Sequence, residues 1–355
     1  RQRARVRLAL ICLVGIAACG ALPQHGASSA RDTPLGPPVS VGAALPGISG
    51  ARGSSALLSI LIEPAAGMAP IYALLESARH ALDLTMYELE DARAERLIAV
   101  DATRGVDVRV ILNGTGTGSR NEPAFTYLQS HGVHVRWAGS LYALTHQKAL
   151  VVDGSVAAIM TLNWTTRYYA TTRDVAVIDR RAADIEAIQT TFNADYNQTR
   201  VEPASGAGLV WSPRTALPEL LGMINGASRE IDIENEEMGI ATITDALIEA
   251  ARRGVRVEIC MTDSSKWSSA FGELTAAGVR VSVYAPDAEL YIHAKVIVRD
   301  PGAGDQQAFV GSQNFSTESL EYNRELGIVL SSGAVIERLL AMFRGDAIGA
   351  AHWTA

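Results

Sequence analysis

The eight-residue stretch HQKALVVD at residues 146–153 recurs as HAKVIVRD at residues 293–300, which keeps a histidine, a lysine and an aspartate at one spacing twice. The two histidines are 293 − 146 = 147 residues apart. Another landmark recurs at nearly the same interval: RGVDVRV at residues 104–110 returns as RGVRVEI at residues 253–259, and 253 − 104 = 149. Chance matches would not keep one register, so the sequence predicts an internal duplication.

The two copies share one predicted order of elements. A strand, an amphipathic helix, a second strand and a second helix are predicted at residues 57–62, 71–81, 82–87 and 92–104, and again at residues 209–211, 217–227, 231–233 and 243–253. Because strands alternate with helices, each copy should form a mixed or mostly parallel sheet with helices covering its faces. We therefore expect an α/β fold of two pseudo-twofold related repeats, residues 56–200 and 208–348, with an active site at the seam between them.

Composition limits the class of function. The 355 residues are 48% hydrophobic, which is ample for one large core or two medium ones. The net charge of −7 provides no overall basic field for a polyanion, so we expect no stable nucleic-acid partner. Three scattered cysteines match neither a zinc spacing nor a disulfide framework. We expect no metal and no cofactor.

The N-terminal segment has the pattern of a targeting signal. Arginines at positions 1, 3, 5 and 7 precede an apolar run at residues 8–18, which is too short to span a bilayer as a mature helix. The next residue, Cys19, stands where the lipobox of bacterial lipoproteins places its lipidated cysteine. We predict a signal peptide at residues 1–18, a flexible tether at residues 19–55 and lipid anchoring at the outer face of the bacterial cytoplasmic membrane. The alternative is an ordinary secretory signal and a secreted protein.

The repeated motif places complementary groups side by side. Residues i and i+2 of a strand share a face, so His146 lies with Lys148, and His293 with Lys295. On the return strand each copy has an amide, and eleven residues after it an acid able to orient a histidine through Nδ1–H. These positions, with the hydroxyl residues beside the amides, are Thr161, Asn163 and Asp174 in the first copy and Ser312, Asn314 and Glu325 in the second.

Two imidazoles, two ammoniums and two amides around one point suit a phosphodiester. The cations would neutralise the charge that develops on phosphorus oxygens, and the imidazoles would supply a nucleophile and an acid. One histidine–lysine pair on an apolar strand could equally be a buried structural pair. Two pairs in register favour the catalytic interpretation.

The doubled HxKxxxxD motif resembles the phospholipase D superfamily, and the resemblance extends over about residues 56–348. It implies that one histidine attacks phosphorus to form a phosphohistidine, the other protonates the leaving alcohol, and water or another alcohol resolves the intermediate. On matching positions His146 would be the nucleophile and His293 the general acid, although the symmetry leaves the reverse open. The phosphate oxygens would be held by Lys148, Lys295, Asn163 and Asn314. Asp153 and Asp300 complete the motif and would fix the strand turns.

The first copy departs from the second at two places. Met160-Thr161 stands where the second copy has Gly311-Ser312, and Asp174 is one methylene shorter than Glu325. Because Met160 lacks the close backbone approach that glycine permits, we expect lower activity than in closer family members. The acids Glu234, Glu236 and Glu237 end a predicted strand and are interpreted as a hydrated rim, with a role in repelling acidic substrates as the alternative.

Three functions fit the sequence. The first is a phospholipase D that hydrolyses phospholipid headgroups to phosphatidate at a membrane surface, which the acidic balance and the predicted anchor favour. The second is a secreted nuclease of the same superfamily, and the third is a catalytically silent module that binds a membrane surface. Headgroup preference, hydrolysis against alcohol transfer, and the oligomeric state are left open by the sequence.

Overall fold

The computed structural model describes residues 57–354, all of which belong to one compact unit. The predicted signal peptide, Cys19 and the predicted tether lie outside the described residues.

The first repeat contains nine strands and four α-helices within the described residues. Its strands are β1 (Leu58–Glu63), β2 (Ala81–Met86), β3 (Leu89–Glu90), β4 (Asp107–Leu112), β5 (His134–Trp137), β6 (Ala149–Val152), β7 (Val156–Met160), β8 (Trp164–Thr165) and β9 (Thr172–Asp179). Its helices are α1 (Ala69–Glu76), α2 (Ala92–Thr103), α3 (Gly118–Ser130) and α4 (Ala182–Tyr196).

The second repeat continues from residue 209. Its strands are β10 (Leu209–Ser212), β11 (Glu230–Glu234), β12 (Arg256–Thr262), β13 (Arg280–Tyr284), β14 (Tyr291–Ile292), β15 (Val296–Arg299), β16 (Gln307–Gly311), β17 (Glu325–Leu330) and β18 (Ala351–His352). Its helices are α5 (Ala216–Asn225), α6 (Ala241–Arg252), α7 (Ser268–Ala276) and α8 (Gly333–Gly349). Short 3-10 turns lie at Thr166–Tyr168 and Ser265–Trp267, and a π-helical turn at Glu318–Tyr322.

The two main sheets have the same strand order. The first runs β1-β9-β7-β6-β2-β4-β5 and the second runs β10-β17-β16-β15-β11-β12-β13, with β18 added at its end. In each sheet the last three strands of the shared order pair in parallel and the others pair antiparallel. The predicted mixed α/β fold of two related repeats is therefore confirmed.

Strand periodicity divides the core into layers. Leu150 and Val152 of β6 pack on the face that carries helices α1, α2 and α3, whereas Ala149 and Val151 face a core shared with the second repeat. That shared core also receives Val296 and Val298 of β15 and the apolar faces of α4 and α8. Alternate residues of one strand thus bind the repeat to its own helices and to the other repeat.

The first helix is shorter than the sequence predicts. A helix was expected at residues 71–81, but α1 ends at Glu76. The backbone N–H groups of Arg79, His80 and Ala81 donate to the carboxylate of Asp153 and are held in a turn that leads directly into β2. A hydrophobic pattern does not show this long-range cap, so the predicted helix ran too far.

The motif histidines and lysines precede their strands instead of lying within them. β6 begins at Ala149 and β15 at Val296, one residue after each lysine. The backbone N–H groups of His146 and Gln147 donate to Arg324 of the second repeat at 3.0 and 3.1 Å, and not to a neighbour in their own sheet. The expectation that the strands include the motif histidines was wrong for this reason.

The glycine that the first repeat lacks is a packing residue in the second. A Cβ on Gly311 would lie 2.7 Å from the ring of Phe309 and 2.6 Å from the Cα of Gly327. In the first repeat the matching positions are Ala158, Met160 and Ala176, all buried. The large side chain at this place in the core is therefore Met160 in the first repeat and Phe309 in the second. The close approach at Gly311 involves core atoms of its own sheet. The close backbone approach expected of glycine is present at Gly311, and lower activity than in closer family members stays a prediction.

Candidate active site

The short segment before each motif histidine pairs with the opposite repeat and places the histidine against it. Residues 291–292 pair in parallel with Thr172–Arg173 of β9, and the N–H of His293 donates to the carbonyl of Arg173 at 3.1 Å. In the reciprocal contact Thr145 forms a parallel bridge with Arg324. The next residues along these partners are Asp174 and Glu325. The exchange therefore brings each histidine to the acid of the other repeat.

The histidine–acid pairs are crossed. His146 Nδ1 lies 2.9 Å from Glu325 Oε2, and His293 Nδ1 lies 2.8 Å from Asp174 Oδ1. A carboxylate can only accept here, so Nδ1 carries the proton and Nε2 faces the site with its lone pair or a second proton. The sequence predicted acids that orient histidines but did not reveal that each acts across the repeats.

Hydroxyl groups support both acids. Thr161 donates its hydroxyl to Asp174, and Ser319 donates its hydroxyl to Glu325. Ser312, the predicted counterpart of Thr161, instead offers its backbone carbonyl to His146 Nδ1 at 3.1 Å. Ser319 was missed because it lies on the π-helical turn and has no counterpart in the motif.

The two acids are held as carboxylates. Burial raises the pKa of Asp174, but the charge of His293 and its hydrogen bond outweigh burial and bring the pKa below the usual value. Glu325 has a lowered pKa for the same reason, with His146 as the partner that outweighs burial. Both acids are therefore ionised and able to hold the imidazoles in one tautomer.

The two motif lysines are almost completely buried beside the histidines. Each Nζ donates to the backbone carbonyl of the histidine two residues before it, at 2.6 Å for both Lys148 and Lys295. Burial lowers the pKa of Lys148 to about 7. Burial also lowers the pKa of His146, and the charges of Lys148 and Lys295 lower it further. Both lysines therefore act on the environment of one histidine, and the two half-sites form one centre.

The amides flank this centre. Asn314 Nδ2 lies 3.4 Å from Glu236 Oε2, and its backbone N–H is held by the hydroxyl of Ser319. Asn163 follows β7, and its buried Oδ1 has no hydrogen-bond partner within residues 57–354. Phosphate binding by these two amides stays a prediction.

The motif aspartates lie at the far ends of the motif strands. Asp300 accepts hydrogen bonds from the backbone N–H groups of Ser228, Arg229 and Glu230, as Asp153 does at residues 79–81. Asp153 and Gly154 have φ of 50° and 57°, which is the backbone of a tight hairpin turn. The structure places both aspartates in turns, where they anchor the strands that follow the motif histidines and lysines.

Two residues beside the lysines were not singled out as site residues by sequence reasoning. Tyr87 follows β2, and its ring centroid lies 4.8 Å from Lys148 Nζ and 4.5 Å from the His146 ring centroid. Glu236 follows β11, and its Oε2 lies 2.9 Å from Lys295 Nζ. Because 236 − 149 = 87, the two occupy matching positions. The repeat interval of 149 residues is the sequence signal that could have identified this pair of positions.

The interpretation of the acidic strand end as a hydrated rim was wrong. Glu234 is 1% exposed, and burial, followed by the neighbouring carboxylate of Asp346, raises its pKa. Glu236 contacts a motif lysine instead of bulk water. Within residues 57–354 no group of three or more His, Cys, Asp or Glu side chains is placed to hold a metal ion.

Comparison with known families matches residues 71–196 and 220–347 to the family described as "Cardiolipin synthase, PLD-like domain". The two matches together cover more than half of the chain. The chain therefore belongs to the phospholipase D-like family, as the doubled motif predicted.

Similar proteins include enzymes of phospholipid metabolism. The major cardiolipin synthase of Bacillus subtilis is 25% identical over 297 residues, which cover 71% of this chain and 60% of that protein. A mitochondrial cardiolipin hydrolase of Xenopus tropicalis is 32% identical over 135 residues, which cover 37% of this chain and 61% of that protein. The matched part of this chain thus spans about three fifths of the length of these relatives.

Solved structures share the architecture. The phosphatidylserine synthase of Haemophilus influenzae has a TM-score of 0.64 at 11% identity, over 84% of this chain and 88% of that chain. A polyphosphate kinase of Porphyromonas gingivalis has a TM-score of 0.65 at 13% identity, over 81% of this chain and 46% of that chain. At such low identity these likenesses show the fold alone.

Proposed function

We propose that the protein cleaves the headgroup ester of a phospholipid through a covalent intermediate on His146 and releases phosphatidate when water resolves that intermediate. The observation that carries this proposal is the crossed arrangement, in which Glu325 orients His146 and Asp174 orients His293 around two buried lysines. Two oriented imidazoles beside two cations supply a nucleophile, a general acid and charge stabilisation.

The reaction has two balanced steps. His146 Nε2 attacks phosphorus, the bond from phosphorus to the headgroup oxygen breaks, and His293 Nε2 gives its proton to that oxygen. In the second step His293 takes a proton from water, the water oxygen attacks phosphorus, and the bond to His146 breaks. Lys148, Lys295 and the two amides hold the non-bridging oxygens, where negative charge develops. Asp174 and Glu325 are positioning residues, because they act through the histidines.

The assignment of the nucleophile rests on the environment of His146. Its lowered pKa, caused first by burial and then by Lys148, favours the neutral imidazole, which has a free lone pair on Nε2. The rings of His146 and Tyr87 pack edge to face, with their centroids 4.5 Å apart. His293 Nε2 lies 3.5 Å from Oε2 of Glu236. An Nε2–H directed at an oxygen in this position is the arrangement that a general acid needs.

A phospholipid is the substrate that the comparisons support. The family description and the names of the relatives all refer to phospholipids. Because several relatives are named cardiolipin synthases, their similarity favours a second candidate, in which an alcohol instead of water resolves the intermediate. The structure of the site admits either acceptor, since both would be deprotonated by His293.

The membrane location is part of the proposal. We propose export, with lipidation at Cys19 and anchoring at the outer face of the bacterial cytoplasmic membrane, where a phospholipid headgroup is presented to the site. None of the helices among the described residues is both long and apolar enough to cross a bilayer. Mass spectrometry of the membrane fraction tests the anchor: the N-terminal peptide should begin at an acylated Cys19, and a Cys19→Ala variant should lose the acyl mass. An unmodified Cys19 in a secreted protein would contradict anchoring.

The decisive assay uses the full chain with phosphatidylglycerol vesicles, with and without added glycerol, and with single-stranded DNA in a parallel reaction. Phosphatidate should form, and both His146→Ala and His293→Ala should abolish it. Cardiolipin as the main product would favour the transfer candidate. Cleavage of DNA without any phospholipid product would overturn the lipid assignment in favour of the nuclease. No turnover of any of these phosphodiesters would favour the silent binding module.

A further inference from the structure

A carboxylate occupies the place where the proposed reaction needs a phosphate oxygen. Glu236 Oε2 lies 2.9 Å from Lys295 Nζ, 3.4 Å from Asn314 Nδ2 and 3.5 Å from His293 Nε2. These are the three groups of the second repeat that would hold and protonate a phosphodiester. One oxygen of Glu236 therefore contacts the same donors that a phosphate oxygen would contact.

Glu236 is an anion at this position. Burial raises its pKa, but the charges of Lys295 and His293 outweigh burial and hold the pKa far below the usual value for a glutamate. Its carboxylate therefore stays charged while it contacts Lys295.

The carboxylate is not locked into the core. Its side chain is 20% exposed, whereas the Lys295 side chain that it contacts is fully buried. The other carboxylate oxygen, Oε1, accepts a hydrogen bond from the hydroxyl of Tyr291 at 3.1 Å. Displacement of Glu236 would break its contact with Lys295 and turn the partly exposed carboxylate toward solvent, while the buried Lys295 stays in place.

The first repeat has no such anion at the matching position. Tyr87 lies there, and Lys148 Nζ faces its ring instead of a carboxylate. The pseudo-twofold fold gives both positions the same backbone location after β2 and β11. The difference therefore arises from the side chain and not from the scaffold.

We propose that Glu236 is a resident competitor for the phosphate position, which holds Lys295, Asn314 and His293 until a phosphodiester takes over these donors. This inference rests on the proposed function, because it assumes that these donors bind phosphate. Free inorganic phosphate must displace the carboxylate with only the contacts of its own oxygens to compensate, so it binds weakly. A phospholipid gains further contacts from the rest of the molecule, so it displaces the carboxylate more readily. Glu236 thereby selects against small anions.

Calorimetric titration of the full chain with inorganic phosphate tests this competition. Glu236→Gln removes the charge and should tighten phosphate binding about tenfold or more, since one like charge at contact distance is lost. The matched control is Glu237→Gln, which removes the same charge one residue away, at a side chain that hydrogen-bonds Ser316. It should tighten binding by no more than about threefold. Equal gains in phosphate affinity in the two variants would overturn the proposal, because they would show that any lost negative charge near the site has the same effect.

Glu236→Asp separates contact from charge. It keeps the negative charge but is one methylene too short to keep the 2.9 Å contact with Lys295. Direct competition predicts phosphate affinity between those of the wild type and Glu236→Gln, whereas a field effect predicts no gain. A structure with bound tungstate should show tungstate oxygens on Lys295 and Glu236 turned away. A carboxylate still on Lys295 beside the bound anion would overturn the proposal.

The outcomes also separate this inference from the proposed function. If phospholipid turnover requires His146 but Glu236→Gln gains no affinity for phosphate, only the competitor role fails. If Glu236→Gln binds phosphate more tightly but no phosphodiester is turned over, the proposed reaction fails and the competitor role stands.

Discussion

The two halves of the site share one scaffold and differ in what faces their cations. In the first half, His146 and Lys148 pack against the ring of Tyr87. In the second half, His293 and Lys295 face the carboxylate of Glu236. Strand order, motif spacing and crossed acids are the same in both. The difference teaches that a duplicated site becomes asymmetric when the neighbour of each histidine–lysine pair changes on a shared scaffold.

This asymmetry matches the chemistry that the two histidines would perform. A nucleophile must be neutral, and burial followed by the charge of Lys148 lowers the pKa of His146 and favours the neutral form. A general acid must direct an Nε2–H at an oxygen, and His293 Nε2 lies 3.5 Å from Oε2 of Glu236. The following predictions are arranged to test whether the halves truly differ.

The largest expected difference concerns the leaving group. His146→Ala should lower kcat by about a thousandfold or more on every phosphodiester, because no intermediate forms. His293→Ala should lower kcat about a hundred- to ten-thousandfold on a phospholipid but much less on a p-nitrophenyl phosphodiester, whose leaving group needs no proton. Steady-state kinetics with both substrates measure this. If His146→Ala were the variant rescued by the activated ester, the two roles would be reversed.

The crossed acids should act on opposite histidines. Glu325→Gln and Asp174→Asn should each lower kcat roughly a hundredfold or more, because the imidazole loses its fixed tautomer. The Nδ1–H resonance in proton NMR identifies the affected ring: Glu325→Gln should shift that of His146 and leave that of His293, and Asp174→Asn should do the reverse. A shift on the histidine of the same repeat would refute the crossed arrangement.

The pH profile should depend on the lysine of the first half. The pKa of Lys148 is about 7, so kcat/KM should fall about tenfold per pH unit as the pH rises well above 7 and the ammonium is lost. Lys148→Arg keeps its charge at any such pH, so the alkaline fall should move to higher pH even though activity at pH 7 drops about tenfold. Lys295→Arg, which leaves Lys148 in place, should keep the fall near pH 7. An unchanged profile in Lys148→Arg would exclude Lys148 as its source.

The smallest predicted contrast is in stability. Asp300 is fully buried and also accepts a hydrogen bond from the Ser228 hydroxyl, whereas Asp153 is partly exposed. Asp300→Ala should therefore lower the free energy of unfolding by about 3 kcal/mol and Asp153→Ala by about 1–2 kcal/mol, because the backbone N–H groups that lose their acceptor are more buried at residues 228–230 than at residues 79–81. Urea denaturation measures both. Equal losses of unfolding free energy in the two variants would mean that the two turns contribute equally to stability.

The motif spacing predicted the duplication, the mixed sheets and the residues that gather at the site. The repeat interval revealed the duplication, and local hydrophobic patterns revealed the elements, because strands and helices bury alternate or periodic residues. The end of α1 was missed because Asp153, 74 residues after Arg79, caps that turn. The crossing of the acids was missed because it depends on pairing between residues 291–292 and 172–173, which no local pattern reveals.

Glu236 shows a different limit of sequence reasoning. An acid at the end of a strand is usually solvated, so the pattern alone favours a hydrated position. Its contact with Lys295 depends on the fold bringing β11 beside the motif. Aligning the repeats places Glu236 opposite Tyr87, and only this comparison would have marked it as a residue of the site.

The most direct test of the central claim is to trap the covalent intermediate. The His293→Ala variant should be mixed with a short-chain p-nitrophenyl phosphatidyl ester, quenched in alkaline denaturant that preserves phosphohistidine, digested and analysed by mass spectrometry. The peptide that contains His146 should carry the phosphatidyl mass, and the His146→Ala/His293→Ala double variant should carry none. A burst of nitrophenol with no modified His146, or with the mass on another residue, would contradict the account.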